Sequence, residues 1–179
     1  MPARKVSKKK PAAKEKPAGE AKPNLKGIAI YDRLAQPLID DPNLVQLSWR
    51  SREIENYMCQ RETLLAWAQA MGGRQYGELF ASTCRQAMED AIDEIARALA
   101  ALGKPDPWGP DIKASDDFLD PLFRSFYSKL QLPNLMAKTD YHTLAPFVPA
   151  VQIDPEVREK LDRIVEVANA ARPAKGVDE

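Results

Sequence analysis

The chain has 179 residues, 44% hydrophobic and 29% charged, with 26 basic and 26 acidic side chains and a formal charge of zero. That balance fits one folded domain with its own core and excludes a wholly disordered chain. No apolar run approaches the roughly 20 residues that cross a bilayer, and neither of the two cysteines, Cys59 and Cys84, belongs to a C-x-x-C pair, which argues against a zinc site. With no secretory apolar segment ahead of them, both thiols are expected to be free and the protein cytoplasmic.

The zero net charge conceals an uneven distribution. Residues 1–24 hold eight lysines and arginines against two glutamates, a net +6, which leaves −6 on the remainder. This Lys-, Ala- and Pro-rich stretch has too little apolar surface to offset its ordering entropy and is expected to be a disordered basic tail. Its lysines either contact DNA, gaining free energy by counterion release, or simply solubilise the chain. Residues 25–172 are expected to form a single α-rich domain, and residues 173–179 a flexible end.

In chain order, "GIAIYDR" (residues 27–33) reads as a buried strand with Asp32 at its carboxyl end. After a turn at "DDPN", the alternation in "LVQLSW" (residues 44–49) predicts a second short strand. Two short strands do not make a stable sheet alone, so they flank other elements or a partner completes them. From Ile54 the period becomes helical through "IENYMCQRETLLAWAQAM", with Gly72-Gly73 expected to end that helix. Leu79, Cys84, Met88, Ile92, Ile95 and Leu99 predict a long helix stopped by Gly103 and Pro105. "KPDPWGPDIK" is a loop. Ser115, followed by Asp116 and Asp117, reads as an N-cap opening "DDFLDPLFRSFYSKL". "TDYHTLAPFVP" predicts a short helix broken by Pro146, and Asp154-Pro155-Glu156 opens a last helix with Val157, Leu161, Ile164, Val165 and Ala168 on one face. The fold class is therefore mostly α with a small parallel β element near the N-terminal side.

One cluster can carry chemistry. Asp32 at a strand end and Glu53 and Glu55 just past the second strand are oxygen donors that can converge on Mg²⁺, and Lys138 can face a phosphate. The plainer alternative makes Glu53 and Glu55 first-turn helix acids, Asp32 a turn residue and Lys138 a helix-end charge. The single histidine, His142, reads as a helix-surface residue.

The stretch "WRSREIENYM" resembles the signature at the end of the TOPRIM-like nuclease half of overcoming-lysogenization-defect (OLD) type ATPases and related ABC-like AAA ATPases, where a strand leads into an Arg-Glu-x-Glu-Asn-Tyr run. The stretches "KASDDFLDPLFRSFYSKLQLPNLMAKTDYHTLAPFVP" and "IDPEVREKLDRIVEVA" are similar to the helical region that follows, so the resemblance covers residues 27 to about 170. It implies a partial TOPRIM-like α/β element in which Asp32 is the first acid of an Asp-x-Asp metal motif, with Leu34 where the second acid is expected. It also implies metal ligation by Glu53 and Glu55, and catalytic roles for Glu53, Glu55 and Lys138, the lysine facing the phosphate.

No G-x-x-x-x-G-K-S/T loop occurs, so the chain itself is expected to lack an ATP site. It resembles the detached last third of a larger protein, and its sheet is expected to dock onto an ATPase partner or a missing upstream half, or to stand as a small layer against the helices. The expected function is an accessory or remnant Mg²⁺- or Mn²⁺-dependent nuclease module acting on DNA, weak or inactive alone. The alternatives are a non-catalytic helical interaction module and a basic-tailed nucleic-acid adaptor.

Overall fold

The structure, a computed structural model, describes residues 26–171. The expectations for the basic tail and for residues 173–179 lie outside it. The described chain is mostly helical, with one two-stranded parallel sheet on its N-terminal side. Strands β1 (Gly27–Tyr31) and β2 (Leu44–Ser48) pair in register from Gly27 opposite Leu44 to Tyr31 opposite Ser48. Residues 32–43 cross over between them without a helix. The ladder continues one step past β2, where the Trp49 N–H donates to the Tyr31 carbonyl at 2.9 Å and begins the turn into the acidic motif.

The expected single helix from Ile54 is broken in two. A 3-10 turn covers Ile54–Tyr57, Gln60 is extended (φ −132°, ψ 143°), and α1 runs Arg61–Tyr76. Helix α1 then continues through Gly72 and Gly73 instead of ending there. The physical reason is helix contact: a Cβ on Gly72 would lie 2.7 Å from Cys84 Sγ and 2.9 Å from Cys84 Cβ of the neighbouring helix. The packing gained by this approach offsets the roughly 1 kcal/mol that glycine costs inside a helix. Gly72→Ala is accordingly expected to destabilise the fold by about 1–3 kcal/mol through overpacking; urea unfolding against the wild type measures it.

The reversal falls at Gly77, whose φ of 86° belongs to the left-handed region, and α2 (Glu78–Ala101) starts at the next residue. Its buried face is Ala81, Cys84, Ala87, Met88, Ala91, Ile92 and Leu99, the expected stripe apart from Leu79, which is exposed, and Ile95, which is only partly buried. Gly103 at φ 64° closes it with the Lys104 N–H donating to the Leu99 carbonyl and the Gly103 N–H to that of Ala100, a Schellman end.

A wide π-type turn (Ala114–Leu119) leads into α3 (Asp120–Lys129), and together they bury Phe118, Leu119, Leu122, Phe123 and Phe126 completely. Trp67 of α1 meets Phe123 and Phe126 edge-on, at 5.2 and 5.9 Å between centroids. A 3-10 segment, Lys138–Phe147, carries Pro146 inside it and packs on α1 through Tyr141 and Leu144. The last helix, α4 (Pro155–Ala170), starts as expected, with the Asp154 carboxylate accepting from the Glu156 N–H at 2.8 Å, and lies against β1. Among the described residues no helix is long and apolar enough to cross a membrane.

Candidate functional site

The Arg50–Tyr57 stretch leaves β2 and ties itself to three parts of the molecule through the side chains of Arg50, Glu53, Asn56 and Tyr57. Asn56 accepts from the Glu53 N–H at 3.1 Å and donates to the carbonyls of Gly109 (3.0 Å) and Ile112 (3.1 Å), which holds the proline-rich loop in place. Glu53 is 4% exposed, and its carboxylate accepts from the Ser115 backbone N–H and, at 3.1 Å, from the Ser115 hydroxyl. Ser115 lies inside the Ala114–Leu119 turn, whose N-cap is Lys113, and reaches back to a buried acid 62 residues away; Glu53 adds its negative charge to that of the expected first-turn acids Asp116 and Asp117. Tyr57 donates to Glu156 of α4, while Arg50 donates to the same carboxylate from its backbone N–H and its Nε, each at 3.1 Å.

Glu55 is different. Among the described residues no other residue's side chain hydrogen-bonds its carboxylate, although it is half-buried. Its carboxyl is held above the usual carboxylate range, first by burial and further by the charges of Glu53 and Asp32; its own backbone amide and Lys138 pull the other way. The charges felt by Glu55 thus come from Asp32 after β1, from Glu53 two residues before it and from Lys138 at the start of the Lys138–Phe147 segment. Tyr141 lies within reach of the same charge, its hydroxyl donating to Asp120 and its pKa pushed up mainly by burial.

The other sequence candidates fall as follows. Asp32 is exposed. Lys138 is ion-paired with Asp116, which also binds Lys113. His142 lies on the surface with Nδ1 2.8 Å from the Thr139 carbonyl. Cys59 and Cys84 are buried, and burial pushes both thiols up, away from the reactive thiolate. Among the described residues no three His, Cys, Asp or Glu side chains are arranged to hold a metal ion. The roles of Ser115, Asp116 and Glu156 were not visible in sequence, since each depends on a partner between 22 and 106 residues away.

An open cleft of about 790 Å³ lies beside Tyr57, Gln60, Trp108 and Gln152 and includes none of Asp32, Glu53, Glu55 and Lys138. Of the three acids, only Asp32 is exposed; Glu55 is half-buried and Glu53 buried.

The raised Glu55 carboxyl has a consequence for stability. A group whose folded pKa exceeds its unfolded one stabilises below the unfolded value, and that contribution is lost as pH rises through the folded value. Glu55→Gln is therefore expected to raise the melting temperature near pH 7 and to leave it unchanged below about pH 4, where the acid is protonated in both states. Thermal melts at the two pH values check this.

Comparison of the chain with protein-family models, with curated proteins and with solved structures gave no match.

Proposed function

We propose that this chain is an accessory nuclease-like module of an OLD-type ATPase system, acting on DNA in the cytoplasm, weak or inactive alone and dependent on an ATPase partner. The observation that carries the reading is Glu55: a half-buried carboxylate with no side-chain hydrogen-bond partner among the described residues, kept at a cost in burial and acid–acid repulsion. Unfavourable electrostatics held in place by the fold are characteristic of functional sites.

The donor set limits the metal. Both Glu53 oxygens are engaged by Ser115, so Glu53 supports the site by fixing the turn and adding negative charge. Asp32 and Glu55 remain, and two carboxylates with waters and a phosphate oxygen suit one Mg²⁺. They do not suit a two-ion arrangement, consistent with Leu34 standing where a second aspartate is expected. When bound, Mg²⁺ supplies charge to a scissile phosphate and its attacking water. The chain's own residues orient the substrate: Lys138, by turning from Asp116, neutralises a phosphate oxygen, and the exposed Asp32 leaves one side of the site open to it. The basic residues of 1–24 add sequence-independent affinity for the backbone.

Nicking of supercoiled DNA by the full chain in Mn²⁺ tests the activity. The reading expects slow nicking that falls roughly a hundredfold or more in Glu55→Gln and Lys138→Ala. Equal rates in all three proteins overturn it. The second reading, a non-catalytic interaction module, is favoured by how much of the motif is spent on internal ties: Arg50, Glu53, Asn56 and Tyr57 all hold other segments in place.

A further inference from the structure

We infer that the apolar face of α4 is a self-association surface, on which the α4 of a second copy of this chain packs antiparallel about a two-fold axis near Leu161. Helix α4 buries only Glu156 among its residues, and Lys160 and Val167 are partly buried. At about 100° per residue these three share one side of the helix, roughly 120° round from Leu161. The apolar stripe points elsewhere. Val157, Ile164, Val165 and Ala168 all fall within about 60° of Leu161. That stripe is open: Leu161 is 55%, Val165 56% and Ile164 38% exposed.

The charges beside the stripe are self-complementary. The ion pairs of α4 and its N-cap join Arg50 to Asp154 and Glu156, Lys160 to Glu156, and Arg163 to Glu166. Among the described residues Arg158 and Asp162 are in no ion pair, and both are exposed. Each follows an apolar residue, Val157 or Leu161, by one position, so the two form the next row, on the side away from Glu156. Val157, Leu161 and Val165 are themselves one i, i+4 row, the kind of ridge that packs into the grooves of a facing helix. In an antiparallel copy centred on Leu161, that residue meets its own counterpart and Val157 comes level with Val165. Arg158 of each copy then stands within about half a turn of Asp162 of the other, twice by symmetry. A parallel copy would turn the same row toward the Glu156 side of the second helix, which the rest of the chain already covers.

The size of the surface sets the strength of the pairing. Helix α4 is about 24 Å long, and one helix pair of that length falls short of the roughly 800 Å² per partner that stable complexes bury. The dimer is therefore weak, with a dissociation constant on the order of 100 µM. A membrane surface suits the stripe less well. Helix α4 carries Arg158, Lys160 and Arg163 against Glu156, Glu159, Asp162 and Glu166, whereas interfacial helices have an excess of basic residues. Residues 1–25 and 172–179 hold only Met1, Val6, Leu25 and Val177 as large apolar side chains, too few to cover the stripe. The inference goes beyond the proposed function and does not rest on it, since Asp32, Glu53, Glu55 and Lys138 all lie outside α4.

Sedimentation equilibrium of the full chain at low salt, from about 10 µM to about 1 mM, tests the inference. The average mass is expected to rise with concentration from that of a monomer toward twice that value. Leu161→Glu should weaken the association about tenfold or more, and Leu79→Glu, at an exposed apolar residue of α2, should leave it unchanged. Arg158→Asp and Asp162→Arg should each weaken it roughly threefold to tenfold, because either one sets like charges against each other on both sides of the axis. The double variant, Arg158→Asp with Asp162→Arg, should return it to within about twofold of wild type. A monomer at every concentration overturns the inference, and so does association that Leu161→Glu leaves intact. A double variant that associates no more tightly than either single one overturns it as well, because the two helices then do not meet in the inferred antiparallel register.

Discussion

Phe123→Ala is expected to lower the unfolding free energy by about 3–5 kcal/mol, the range for truncating a fully buried aromatic whose neighbours cannot collapse into the space. Phe123 has no exposed surface, meets Trp67 edge-on at 5.2 Å and stacks on Tyr141 at 5.8 Å and 23°. It therefore joins α1, α3 and the Lys138–Phe147 segment in one contact set. Loss of the ring removes aromatic pairings worth about 0.5–1.5 kcal/mol each beyond the area they bury. The consequence reaches the site, because Tyr141 fixes the segment that begins with Lys138. Urea denaturation gives the loss, and faster exchange of the amides of 138–147 than of α2 shows where it falls. Leu79→Ala, at a residue 90% exposed, is the control and is expected within about 0.5 kcal/mol of wild type.

Glu156→Ala is expected to cost about 2–4 kcal/mol and to release α4 first. The Glu156 side chain is 3% exposed and accepts from Tyr57, from two groups of Arg50 and from Lys160 at 3.4 Å. Hydrogen bonds to a charged group contribute about 1.5–3 kcal/mol each, but the Arg50 side chain is 69% exposed and regains water when its partner is lost, which keeps the total below a simple sum. Burial alone pushes the Glu156 carboxyl up; the bonds from Tyr57, Arg50 and Lys160 outweigh it and hold it below the ordinary value. A lowered folded pKa gives stability that is present above the unfolded value and lost as pH falls through the folded one. The difference between wild type and Glu156→Gln is accordingly expected to be largest near pH 7 and to shrink below about pH 4. Denaturation across that range measures it. The pH trend is opposite in sign to that of Glu55, although Glu156 is hydrogen-bonded to Tyr57 of the same 3-10 turn that carries Glu55.

These two residues also mark how far the sequence could be read. The α2 stripe was legible because helical periodicity and the Gly103 end are local signals, and the two strands because their apolar runs are bounded by turns. The break after Tyr57 was not, since "IENYMCQRE" has helical composition and only the ties of Glu53, Asn56 and Tyr57 to other segments hold it in a 3-10 turn. Gly72 misled for a related reason: glycine serves both as a helix stop and as a close-contact residue, and Cys84 on the facing helix decides which. Within the acidic run, spacing alone made Glu53 and Glu55 equivalent. Burial and the Ser115 contact separate them, leaving Glu55 available and Glu53 committed to structure.

The most direct measurement is paramagnetic broadening of amide signals of the full chain as Mn²⁺ is added. The proposed site predicts broadening confined at low Mn²⁺ to residues around 32, 53–57 and 138–141, lost in Glu55→Gln. Broadening that begins instead on the acidic face of α2, at Glu89, Asp90, Asp93 and Glu94, or that is unchanged in Glu55→Gln, would contradict it.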